Sequence, residues 1–125
     1  MYSIMIDAII DALSRGVQWL AKLIVNFINR VIEFVRDIKE WFRSLNLKRG
    51  THVPFIARPN EFKDLLAKAP VIHEPGIFSD DNSVIEGVFD NDKDAISDIR
   101  LIHSDGGLDK RTRDLLKDDE LIVLS

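Results

Sequence analysis

Between Ile4 and Leu47 the chain has no proline and a single glycine, Gly16, and its apolar residues recur in alternating steps of four and three. The series runs Ile6, Ile10, Leu13, Val17, Leu20, Ile24, Phe27, Val31, Phe34, Ile38, Trp41 and Leu45. Such a heptad seam predicts an α+β protein with one long amphipathic N-terminal helix over residues 1–49, built to form a bundle or coiled coil. At 1.5 Å per residue that helix would be about 65 Å long, more than the rest of a 125-residue chain can cover. Something else would have to bury part of its apolar face.

The stripe is wider than a two-stranded coil requires, because Ile9, Leu23, Val25, Ile28, Ile32, Val35 and Phe42 flank the seam. Width of this kind favours several neighbours or a bilayer surface. The expected oligomer or partner interface is therefore Ile10, Leu13, Val17, Leu20, Ile24, Phe27, Val31, Phe34, Ile38, Trp41 and Leu45. Outside the seam, Arg15, Lys22, Arg36 and Arg43 form a mostly basic stripe, and with Trp19 they are the residues expected to meet lipid or another anionic surface. Two plainer arrangements compete: the helix wraps the rest of the chain, or it breaks into a hairpin near Gly16 or Asn26–Asn29.

The charge is divided unevenly. Residues 1–50 carry 8 Lys and Arg against 5 acids, and residues 51–125 carry 9 against 16. An acidic C-terminal half is a poor surface for a phosphate backbone, so no nucleic acid is expected as a partner. The apolar N-terminus meets Asp7 and Asp11 where a secretory signal needs a positive n-region, so no signal peptide is expected. No run approaches the roughly 18 uncharged apolar residues of a spanning helix. A cytoplasmic location, or one peripheral to a membrane, follows from these features. The chain has no cysteine, which removes disulfides, zinc ribbons and thiol nucleophiles from consideration.

After Lys48-Arg49-Gly50, a cationic end followed by a glycine stop for the helix, residues 50–82 read as an extended arm with Pro54 and Pro59. Within it a short helix, Glu61 to Ala69, is capped by Asn60, and a second extended piece covers 71–78. Residues 83–125 read as a small acidic α+β domain. Ser83 to Phe89 and Ala95 to Ser104 alternate well enough for a hairpin. Asp109 is placed to cap a helix carrying Leu115 and Leu116, and Glu120 to Ser125 closes the chain as a strand.

No constellation in the sequence has the spacing of a catalytic or metal centre. Asp90, Asp92 and Asp94 begin like a calcium loop, but Ala95 stands where the sharp turn needs glycine and Leu101 where a bidentate glutamate belongs. Asp80 and Asp81 read as loop. His52, His73 and His103 are too scattered for a zinc pattern. His103-Ser104-Asp105 has the residue types of a hydrolytic triad, but adjacent side chains diverge. The sequence thus predicts no cofactor, no metal and no catalysis. It predicts a self-assembling structural or interaction protein whose expected partner is its own copy. A membrane-associated or pore-forming role, or docking of the helix into a larger protein, are the competing readings.

Overall fold

A computed structural model describes residues 2–72, 78 and 81–124, with the side chains of Tyr2, Ser3, Ile4 and Val17 left aside. Five strands form one mixed sheet in the order β1-β4-β3-β2-β5. The strands are β1 (Ile24–Ile28), β2 (His52–Ala57), β3 (Ser83–Asp90), β4 (Ala95–Ser104) and β5 (Leu121–Val123). β2, β3 and β4 are antiparallel neighbours, β5 runs antiparallel to β2, and β1 lies parallel to β4.

Helices cover both faces. On one face α1 (Tyr2–Ser14), α2 (Val17–Leu20) and α4 (Lys63–Leu66) bring Ile9, Leu13, Trp19 and Leu66 onto Phe55, Ile85 and Leu101. On the other face a π-helical segment (Phe34–Lys39) runs into α3 (Glu40–Ser44), and α5 (Lys110–Leu116) lies beside them. Phe34, Ile38, Phe42 and Leu116 there meet Ile56, Val84, Val88 and Ile102. β3, at the centre, is buried along its whole length, as a strand covered on both faces must be.

The long N-terminal helix expected from the heptad seam is absent. α1 ends at Ser14, and Gly16 adopts φ +35°, a conformation L side chains rarely take. The Trp19 indole then donates to the Leu13 carbonyl at 2.8 Å and locks α2 back against the end of α1. Residues 24–28, in the middle of the predicted helix, form a strand. The sequence Ile-Val-Asn-Phe-Ile is β-branched and aromatic, and these residue types favour a pleated, half-buried surface. A strand lets it share the existing sheet with Leu101 and Ile102, whereas a free helix of the predicted length would keep its apolar face in water.

The expected helix stop at Lys48–Gly50 also moves. α3 ends at Ser44, and Asn46 at φ +52° turns the chain. The Pro-containing stretch is extended, but as an internal strand rather than as an arm reaching outward. Pro54, which has no N–H, sits one residue outside the β2–β5 register. The short helix after it is smaller than expected and opens with Pro59 in a 3-10 turn (Pro59–Phe62), not with an Asn60 cap. Most of the second extended piece, including His73, and Asp80 lie outside the described residues.

The hairpin of β3 and β4 is present with the expected ends at Ser83, Ala95 and Ser104. Its turn is closed by the Asp90 carboxylate, which accepts from the Asp92 and Lys93 amides at 3.0 and 3.1 Å. Asp90 therefore serves the turn. Asp109 caps α5 by accepting from the Thr112 amide at 2.9 Å, which is the N-cap geometry that residue type favours.

Candidate functional site

β1 is an edge strand. It pairs with β4 on one side, from Ile24 opposite Arg100 to Ile28 opposite Ser104, and no other strand lies beyond it among the described residues. Its side chains alternate across the sheet. Val25 packs with the α1 and α2 face, and Ile28 packs with the α3 face. Ile24 and Phe27 are left 57% and 63% exposed. Val31 and Val35, just beyond the strand, are exposed as well. Isolated apolar residues on a surface are ordinary, but an unpaired strand edge carrying them is a template for another strand.

The residues predicted to form one interface are thus dispersed. Leu13, Phe34 and Ile38 are core; Ile10, Leu20, Trp41 and Leu45 are half-buried against it; Ile24, Phe27 and Val31 face outward. Val17 begins α2. The basic stripe does not form a common face with Trp19, which is fully buried. Arg15 is paired with Asp11 and Asp94, Arg36 with Glu33, and Arg43 with Glu40. Lys22 is exposed in the turn before β1.

Strand pairing also creates a grouping that the sequence order hides. Ser83 and His103 stand opposite one another on β3 and β4, with Ser83 Oγ 2.8 Å from His103 Nδ1. Nε2 of the same ring lies 3.2 Å from an Asp105 oxygen. These are triad residue types in hydrogen-bonding order, but their environments are reversed. A nucleophilic serine must reach substrate and its carboxylate orienter is held in place, whereas Ser83 is fully buried and the Asp105 side chain is 99% exposed. The rings of Phe27 and Phe78 each lie 5.6 Å from the His103 ring and roughly perpendicular to it. The imidazole therefore works as a polar peg under Phe27, holding β1 on β4. Only the strand register could have exposed this grouping, since Ser83 and His103 belong to different sequence segments.

On the opposite face a chain of charges runs beneath the π-helical segment. Arg30 grips both carboxylate oxygens of Asp37 at 2.6 and 2.8 Å. The Asp37 carbonyl accepts from Arg100. Arg100 Nε reaches Glu86 at 2.5 Å, and its guanidinium lies 4.6 Å from the centre of the Trp41 ring. Glu86 is wholly buried in the central strand. Burial pushes its carboxyl up to about 8, with the Arg100 hydrogen bond and charge pulling the other way. Asp37 is held below the ordinary carboxylate range: partial burial works to raise it, but Arg30 and the Glu33 amide outweigh that. A glutamate inside an otherwise apolar strand was the sequence sign of this network, and its partner Arg100 lies directly opposite in the register.

A groove of about 780 Å³ lies beside β5, at the far edge of the sheet. Phe34, Phe42, Leu115 and Ile122 are among its apolar walls, and Lys39, Arg43 and Arg111 supply its only charges among the described residues. Arg111 lies over the Phe34 ring at 4.4 Å. Among the described residues no three His, Asp or Glu side chains come together as a metal-ligand set, and no helix is long and apolar enough to cross a membrane. Comparison with protein-family models, with curated proteins and with solved structures finds no match to the chain.

Proposed function

We propose that this is a non-enzymatic interaction protein that assembles with a second copy of itself by antiparallel pairing of the two β1 edges. The supporting observation is an edge, unpaired among the described residues, that carries Phe27 and Ile24 at more than half exposure. The strand is also self-complementary. With Asn26 opposite its own copy, Ile24 faces Ile28 and Val25 faces Phe27, so every other cross-strand pair is apolar. The stretch from Leu23 to Asn29 carries no charge to repel its copy, and Arg30 at its end is neutralised by Asp37. A two-fold axis through Asn26 would give a closed, isologous dimer with a continuous ten-stranded sheet.

Five residues from each strand make a small interface, so the dimer is weak, with a dissociation constant on the order of 10 μM.

Sedimentation equilibrium of the full chain over a hundredfold concentration range tests the proposal. A reversible monomer–dimer equilibrium that Ile24→Lys shifts to monomer is expected. A monomer throughout the range, or a dimer indifferent to Ile24→Lys, would overturn it. In the first case, a larger protein seated on β1 becomes the alternative.

A further inference from the structure

The groove beside β5 is built unlike the edge at β1, because it joins apolar walls to charge of one sign. Its floor comes from one covering layer and the sheet edge: Phe34 and Phe42 from the π-helical segment and α3, Leu115 from α5, and Ile122 and Leu124 from β5 and the residue after it. The cations around this floor are not equally committed. Arg43 is held by Glu40 at 2.6 Å, whereas Lys39 and Arg111 have no ion pair among the described residues. Among the described residues no carboxylate lines the groove, although Glu40 and Asp114 stand nearby on α3 and α5.

From this arrangement we propose that the groove is a binding site for a small anionic amphiphile, a single alkyl chain ending in a carboxylate. The chain lies on Phe42, Leu115 and Ile122, and the headgroup meets Lys39 and Arg111. The volume is within the range of small-ligand sites, about 300–1,000 Å³. A peptide fits less well. Its backbone amides would need partners along an apolar wall, and the adjacent strand is only three residues long. Arg111 is already oriented by the Phe34 ring, so less side-chain freedom is lost when it meets an anion.

The test is isothermal titration of the full chain with sodium decanoate below its micelle concentration, with decanol and sodium acetate as separate titrants. Decanoate is expected to saturate one site per chain. Decanol, which has the chain without the charge, should bind at least tenfold more weakly, and acetate should give no saturable signal. Lys39→Gln with Arg111→Gln, two exposed changes, should weaken decanoate at least tenfold without altering the circular dichroism spectrum. Ile24→Lys should bind decanoate like the wild type, because it alters the opposite edge of the sheet.

Absence of saturable decanoate binding would overturn the proposal. So would equal binding of decanol, since the cations would then play no part. Binding to phosphatidylglycerol vesicles without binding to monomeric decanoate would also overturn it, by assigning the cations to a membrane surface.

Discussion

Gly87 lies directly opposite Phe55 in the β2–β3 register, and the space its missing side chain leaves is filled by the phenyl ring. A Cβ at Gly87 would stand 2.3 Å from Phe55 Cζ. Phe55 is itself fully buried beneath α1 and α2, so the ring has no route outward. The glycine is there to admit the ring into the central pair of strands.

Gly87→Ala should therefore destabilise the fold by about 3 kcal/mol, the upper part of the range for overpacked cores. Urea unfolding monitored by circular dichroism measures the loss. In a Phe55→Leu background the added methyl should cost much less, because the two residues share one space. Equal losses in both backgrounds would show that the ring is not what the methyl meets.

Glu86 makes stability depend on pH. Its ordinary value is 4.5, and burial in the folded protein raises it to about 8. Between these values the folded state holds a proton that the unfolded state has released, so stability falls as pH rises from about 5 to 8. Asp37 and Asp109 are shifted downward and act at the other end, their contribution being lost as pH falls through their folded values. Maximum stability is expected near pH 5. Glu86→Gln keeps a hydrogen-bond acceptor for Arg100 but cannot ionise, and it should flatten the decline between pH 5 and 8 in urea midpoints taken at both. A decline as steep as that of the wild type would remove Glu86 as its cause.

Asp109 ties two elements together. One carboxylate oxygen accepts from both the amide and the hydroxyl of Thr112, at 2.9 and 2.6 Å, and the other accepts from the Phe34 amide at 2.9 Å. It thus caps α5 and satisfies the start of the π-helical segment at once. Asp109→Ala should cost about 2 kcal/mol, a full cap loss with a second amide left unpaired. Asp109→Asn should cost less. Hydrogen exchange at Phe34 distinguishes this dual role: its amide should exchange faster in Asp109→Ala even though it lies on another element.

Trp19 offers a check on the surface predicted for lipid. It is fully buried and donates to the Leu13 carbonyl. Trp19→Ala should destabilise the protein by about 4 kcal/mol, as removal of a buried indole does. Acrylamide quenching in a Trp41→Phe background should be weak, and anionic vesicles should leave its emission unchanged. A blue shift on adding phosphatidylglycerol vesicles would instead show Trp19 leaving the core for lipid.

The features readable from sequence were those decided within a few residues. The β3–β4 hairpin follows from two alternating segments joined by Asn91–Asp94, and the start of α5 follows from Asp109 two residues after Gly107. In each case the chemistry that closes the turn or cap is supplied locally, by Asp90 or by Asp109 itself. The stretch from 4 to 47 was different. Its apolar residues satisfied a helical repeat throughout, while Ile24 to Ile28 also had the residue types of a strand. That choice was made by β4, whose open edge lies more than seventy residues further along the chain. The site residues were hidden for the same reason. Phe27 over His103, Ser83 against the same imidazole, and Arg100 on Glu86 exist only once β1, β3 and β4 are side by side. Sequence periodicity records which residues avoid water, but the elements that shelter them are fixed by long-range pairing, which a local pattern does not contain.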